Sequence, residues 1–372
     1  MKKILLLTVL PLIALANTPK IGGKLQLDYT KNSLPDGETS SLSGAQIRRA
    51  RVKVSGKFPD DYFYKLEVDY SGSAIKMKSS YIGKEVFPKF KTYLGYQSLS
   101  TSLGDRISSS SLIFPERSGL NRIIGSSKRL GVISQYRSDN YWLQIGAQEQ
   151  KNSDVEDPIR EENLGLSLGG LSKSNGSKLH HSIGVFRLTR TGNETASSSS
   201  KSTYKLRLKG GGSDLTDVYS SDTGDVTDIK YQQVVFVDTF FLYKSFYIGA
   251  EATRITWEKK SVNLYHNTWM VETSYLFGDS FRKYKKGGSL SSPVLNKKGA
   301  YEIALRYEYF NLTNGVDRSK QRDIGVSLNY FANKNIYYML GLQKSVTGEK
   351  SRYKSMIFRG GLNFQTSRSF TS

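Results

Sequence analysis

The side chains best placed to do chemistry in this sequence are cations set at every second position. Arg49, Arg51, Lys53 and Lys57 share one parity against Ala50, Val52, Val54 and Phe58. Lys76 and Lys78 repeat the spacing, Lys91 follows in Phe90–Gln97, Arg129 and Arg137 bound the next segment, and Lys205, Arg207 and Lys209 alternate again. Successive strand side chains point to opposite faces, so each set projects from one face. Facing a water-filled lumen, a ladder of such charges raises the local anion concentration and passes anions between several moderate sites. Arginine offers a planar fork of donors suited to phosphate or carboxylate, and lysine acts more as a point charge. Glu67, Asp69, Glu251, Glu272, Glu302, Glu308 and Asp323 fall on the same kind of face. Two readings are therefore open: selective anion passage, and a general pore with mild anion preference.

Signals for catalysis are weaker. His180, His181 and His266 are the only histidines, and adjacent strand residues point to opposite faces, so the tandem pair makes no metal site. Gly165-Leu166-Ser167-Leu168-Gly169 fits a nucleophile elbow by letters but lies in an alternating segment without an evident acid and base. Gly210–Gly212 lacks the strand-to-helix setting of a phosphate loop. No cofactor motif stands out. A membrane-embedded hydrolase and a non-conducting adhesive or structural barrel are the competing function classes.

The elements that must carry these cations are strands. Gln46–Tyr70 is a hairpin: after Pro59-Asp60-Asp61, Tyr62, Tyr64, Leu66, Val68 and Tyr70 oppose Lys65, Glu67 and Asp69. Seventeen short alternating segments run from Ile21–Tyr29 to Met356–Phe364, Thr203–Lys209 among them. Long polar stretches at Ser98–Lys128, Gly210–Lys230 and Gly278–Gly299 interrupt tight turns. Apolar faces with short turns and long loops predict a closed antiparallel transmembrane β-barrel of about sixteen strands rather than a soluble sandwich. Closure would also remove exposed sheet edges.

Composition agrees. The 372 residues contain no cysteine, which excludes disulfides and thiolate chemistry, and 24 Tyr and 17 Phe would supply interfacial girdles. Met1–Ala16 reads as a cleaved secretory leader, with Lys2 and Lys3 ahead of a short apolar run, leaving residues 17–372 as one barrel domain. A net charge of +21 favours anionic partners. Export argues against nucleic acid and for inorganic or small organic anions, with lipid bilayer and lipopolysaccharide around the barrel.

Three stretches together resemble the phosphate-selective porin O/P family of Gram-negative outer membranes. They are IGGKLQLDY (residues 21–29) with IRRARVKVSG (47–56), SSSSLIFPERS (108–118), and the run from Trp269 to Leu342. The resemblance implies a homotrimer of sixteen-stranded barrels, with Ser98–Lys128 folded inward as a constriction loop. The pair Arg48-Arg49 matches the family's paired arginines, and Lys205–Lys209 matches its alternating basic strand. Strict alternation, however, sends Arg48 outward.

With that loop folded inward, Asp105, Arg106, Glu116 and Arg117 would set the narrowest field. Phosphate-selective members carry a key lysine where this chain reads Gly104-Asp105-Arg106, and an acid there would repel a phosphate dianion. At the C-terminus either Phe364 closes the barrel or the strand continues toward Phe370.

Overall fold

In the computed structural model, alternation builds one closed wall. The structure describes residues 19–33, 41–99, 102–124, 128–151, 160–191, 204–209, 219–259, 262–296, 299–348 and 351–365. The leader Met1–Ala16 and Phe370 lie outside this set.

The wall begins with β1 (Lys20–Ser33), β2 (Ser41–Lys57) and β3 (Tyr62–Asp69), followed by the two-residue β4 (Lys76–Met77). It continues through β5 (Ser80–Phe87), β6 (Phe90–Gln97), β7 (Arg129–Arg137), β8 (Tyr141–Lys151), β9 (Arg160–Ser174) and β10 (Ser177–Thr191). After the small strands β11 (Arg207–Lys209) and β12 (Tyr219–Asp222) come β13 (Ile229–Tyr243), β14 (Phe246–Lys259) and β15 (Asn263–Leu276). Another small pair, β16 (Tyr284–Lys285) and β17 (Ser289–Leu290), precedes β18 (Ala300–Thr313), β19 (Arg318–Phe331), β20 (Ile336–Thr347) and β21 (Ser351–Gln365). Sixteen strands of the main sheet form the barrel, all paired antiparallel, and β4 only pairs with the end of β3 ahead of β5. The last strand pairs with the first, from Gly22 opposite Gln365 to Ser33 opposite Lys354. The described chain thus carries Phe364 within the closing strand.

Two expectations change. Thr203–Lys209 is no barrel strand: Tyr204 bridges Val226, and β11 pairs only with β12 in a separate small sheet. Ile75–Val86 is not continuous either, because β4 and β5 are separate strands. Nor do the long connections gather at one end. Residues 277–299 leave β15 at the end where the neighbouring connections are tight turns, such as Lys244–Ser245 and Ala332–Asn335. At the opposite end, the connections before β15, β19 and β21 are short.

Outward faces are apolar. Leu94 and Leu130 are 61% and 62% exposed, an arrangement that suits lipid and not water. Tyr301, Tyr330, Tyr338 and Phe358 form an aromatic ladder across β18–β21, with successive ring centroids 4.8, 6.4 and 6.5 Å apart. Among the described residues no helix is long and apolar enough to cross a membrane.

The interior is half filled. Leu103, Ile113, Phe114, Leu120 and Ile124 from residues 98–128 join Tyr204, Leu206 and Leu208 in one buried cluster. Wall residues Phe240, Trp257, Met270 and Phe310 and the inserted Leu290 complete it. Loop segments from both barrel ends therefore pack against the β10–β18 wall.

Candidate functional site

The loop between β6 and β7 crosses the lumen because wall side chains hold its backbone. Asn329 Nδ2 donates to the Ile113 carbonyl at 2.9 Å, and Arg306 Nη1 to the Glu116 carbonyl at 3.1 Å. The Gly119 N–H donates to Glu308 Oε1 at 2.8 Å, and Arg359 reaches the Pro115 carbonyl. Glycines clear space for the tip: a Cβ at Gly341 would stand 2.8 Å from Pro115 Cγ, and one at Gly325 would stand 3.1 Å from Phe114. From the other end, the inserted 277–299 segment meets the loop. Arg282 grips Glu302 through two hydrogen bonds of 2.9 and 2.8 Å and donates to the Ser111 carbonyl at 2.8 Å.

Glu116 is the hub of the loop. Its Oε1 accepts from Arg48 Nε at 2.8 Å and Arg359 Nη2 at 2.5 Å, and its Oε2 accepts from Arg48 Nη2 at 3.0 Å. Arg49 and Arg122 stand 3.6 and 3.8 Å away. Burial would push this carboxyl up, but the charges of Arg48, Arg49 and Arg359 override it and hold the group well below the usual carboxylate range.

Arg48 faces inward, against strict alternation. Gln26 pairs with Arg49 while Leu27 pairs with Ile47, so Arg48 is the extra residue of a β-bulge. A bulge reverses parity beyond it. Ile47 and Val52 face out, and Arg48 and Arg49 both turn toward the loop.

Arg106 and Arg117 turn away from open space. Arg106 is buried, pairing with Asp238 at 2.5 Å, donating to the Gly288 carbonyl at 2.9 Å and lying 5.1 Å from the Trp142 ring. Arg117 donates to the carbonyls of Gly104 and Ile107, each at 2.7 Å, and braces its own loop. Its guanidinium is shifted down by burial, with Asp105 opposing. Asp105 sits in the helical turn Leu103–Arg106, its N–H bonded to Ser102 Oγ at 3.3 Å. Of the residues expected to set the narrowest field, Arg106 and Arg117 thus turn their guanidinium groups to holding the loop.

The wall cations divide. Arg49 is buried and donates to Gln26 Oε1 at 2.6 Å. Arg51 pairs with Asp69 at 2.8 Å, and Lys78 lies 3.8 Å from the same carboxylate. Lys53 lines a cavity, whereas Lys57 and Arg137 are exposed at the turn end and Lys76 at the loop end. Lys91 pairs with Glu85 at 3.1 Å, and Arg129 is buried against Glu161 at 2.6 Å. Lys205, Arg207 and Lys209 belong to the inserted hairpin and not to the wall; Lys205 lies 3.4 Å from Asp225, and Leu206 and Leu208 turn the apolar face of this segment into the interior cluster.

A cavity of about 520 Å³ brings together the cations that face space. Lys24, Arg51, Lys53, Lys65, Lys285 and Lys334 line it with Glu67 as the one carboxylate among its lining residues, and Ser108, Ser110, Ser111 and Ser292 add neutral polar groups. Glu67 is itself bonded by Lys65 at 2.7 Å. Sequence reasoning missed Lys24, Lys65, Lys285 and Lys334. Alternation with Leu25 and Leu66 marked the first two, whereas the last two sit in connections without a period.

Charge is therefore segregated across the interior. Glu302 is matched by Arg282, Glu272 by Arg306 at 2.7 Å and Asp238 by Arg106, all within packed regions. Glu67 and Asp69 alone of the seven acids lie on the basic side, both bonded by cations. Lys128 continues that side; burial pulls its ammonium down to about 8, with Glu67 opposing. His180 is buried beside Trp142 and Phe240, and His181 points outward. Among the described residues no group of three or more His, Asp or Glu side chains could hold a metal ion.

Comparison with known proteins places this geometry. The family described as phosphate-selective porin O and P matches residues 20–355. A curated relative, an uncharacterized protein of Caulobacter vibrioides, is 28% identical over 132 residues, which are 34% of this chain and 26% of that protein. The chain thus spans about a quarter of that relative's length. Among solved structures, OprB of Pseudomonas putida superposes with a TM-score of 0.63 at 11% identity, covering 96% of each chain. An anion-selective porin from Comamonas acidovorans gives 0.58 at 11% identity, covering 93% of this chain and 99% of that one. The trimer form of Vibrio cholerae OmpT gives 0.58 at 13% identity, covering 93% and 100%. These structural likenesses speak to the fold, and the family match supplies the kinship: the chain belongs to the phosphate-selective porin O and P family.

Proposed function

We propose that this channel passes small hydrophilic anions by diffusion, with selection made by the lysine-rich cavity between β1–β3, the inward loop and the 277–299 segment. The observation that carries the reading is six cationic side chains against one carboxylate around a single space of about 520 Å³. Several charges at moderate spacing attract an anion without trapping it, and serine hydroxyls replace part of its hydration shell. Lysines outnumber arginine in this lining, so the field acts on anions as a class more than on one geometry. Export on the Met1–Ala16 leader and assembly as a homotrimer belong to this reading. The family and a likeness to a barrel solved as a trimer are consistent with the second.

The test is planar-bilayer recording of the refolded protein under a potassium chloride gradient. An anion-signed reversal potential is expected. A zero or cation-signed potential would overturn the reading and leave a general porin. Absence of conductance would favour an adhesive or structural barrel.

A further inference from the structure

Four guanidinium groups converge on one carboxylate that belongs to the loop itself. Arg48 engages both oxygens of Glu116 in a two-pronged pair, Arg359 takes one of them at 2.5 Å, and Arg49 and Arg122 close the remaining sides. Arg359 also holds Asp28, through Nε and Nη2 at 2.7 and 2.6 Å. Four guanidinium groups thus surround the Glu116 carboxylate, and one of them is shared with Asp28. Arrangements of this kind are built for oxygen anions: forked donors match paired oxygens, and low exposure strengthens each contact.

We infer that the Arg48, Arg49, Arg122 and Arg359 box is a tetrahedral-oxyanion site that the chain fills with its own Glu116. The carboxylate is a tethered competitor. It arrives with the loop at high effective concentration, so a free oxyanion must displace a group that cannot diffuse away. Arg49 and Arg359 form the closed back of the box, whereas Arg48 and Arg122 keep about a fifth of their side-chain surface exposed and form its open side. Access is therefore blocked by occupancy and not by enclosure. The same contact fastens the loop to β2 through Arg48 and adds to the hold that Arg359 of β21 has on the Pro115 carbonyl.

This inference rests on the anion-channel reading, and the experiment separates the two. Refolded wild type, Glu116→Gln and the double variant Glu116→Gln with Arg48→Gln are recorded in planar bilayers while inorganic phosphate is added to chloride. Wild type keeps the anion-signed potential and resists phosphate. The single variant, with the competitor neutralised, is expected to show half-block at a phosphate concentration at least ten-fold lower. The double variant should return toward wild type. Equal block in wild type and a folded Glu116→Gln channel would overturn the inference, as would a gain that survives loss of Arg48. Should Glu116→Gln fail to fold, Glu116→Asp, which withdraws the carboxylate by one methylene, must show an intermediate gain; no gain there also overturns it. A wild-type potential of the wrong sign would instead refute the channel reading.

Discussion

The guanidinium of Arg282 donates a 2.8 Å hydrogen bond to the carbonyl of Ser111, a residue 171 positions earlier that enters the lumen from the opposite end. Arg282 also carries a two-bond pair with Glu302, which is fully buried. One side chain thus joins two inserted segments to the wall.

Truncating that side chain isolates an acid. In Arg282→Ala, Glu302 keeps only Ser274 Oγ and Asn329 Nδ2 as donors and loses its counter-charge. Breaking a buried pair by removing one partner costs about 3–5 kcal/mol. Thermal unfolding of the refolded barrel should show a clear drop in midpoint, and single-channel conductance should rise as the two segments separate. An unchanged midpoint would remove the pair's structural role.

Charge removal in the cavity is expected to act on selectivity more than on stability. Lys24→Gln with Lys53→Gln takes away two of the six lining cations. A unit charge about 5–8 Å from a passing ion in a wet lumen is worth about 0.5–1 kcal/mol. Local anion occupancy should therefore fall roughly 2–5-fold per charge, and the reversal potential should move toward zero. An unmoved potential would place selection elsewhere.

Alkaline titration should uncover Lys128. Its ammonium, lowered to about 8 mainly by burial, is charged below that pH and neutral above it. Anion preference should decline between pH 7 and 9, well before an ordinary lysine titrates. Lys128→Arg should shrink the step; a step of unchanged size belongs to another group.

Acid should do the opposite of nothing only late. Glu116 is held well below its ordinary value, so its folded-state contribution is present above the unfolded carboxylate value and is lost as pH falls through the depressed one. Protease access to residues 98–128 should be the same at pH 7 and pH 4.5. Loop release already at pH 4.5 would contradict the four-arginine arrangement.

Space at the loop tip gives a steric test. A Cβ at position 341 would meet the Pro115 ring at 2.8 and 2.9 Å, closer than real contacts allow, so Gly341→Val must displace the tip. Conductance and protease sensitivity of the loop should both increase. Native values for both would show that the wall yields instead.

The barrel was legible because lipid and lumen demand opposite side chains at alternate positions; β18 shows it plainly, with Tyr301, Ile303 and Leu305 out and Glu302, Arg306 and Glu308 in. The inward loop was legible only through its resemblance to a family. Where period failed, tertiary packing had decided. Tyr204, Leu206 and Leu208 alternate as a lipid-facing strand would, yet their apolar face meets the interior cluster. Arg48 sits in a bulge, which leaves no mark in residue type. Arg282 and Lys334 lie in connections, where neither helical nor strand period applies, and the partners that define them are distant in sequence.

Closure between β1 and β21 also orders events in time. Arg359, which secures Glu116 and the Pro115 carbonyl, stands on the final strand, opposite Asp28 of the first. This pairing joins the two ends of the barrel, so its closure entropy is among the largest the chain must meet. The loop at 98–128 is synthesised early but acquires its last fastening only when the final strand has docked. A barrel missing its C-terminal strand would lack the Arg359 contacts to Glu116 and Pro115 while keeping those from β2, β18 and β19.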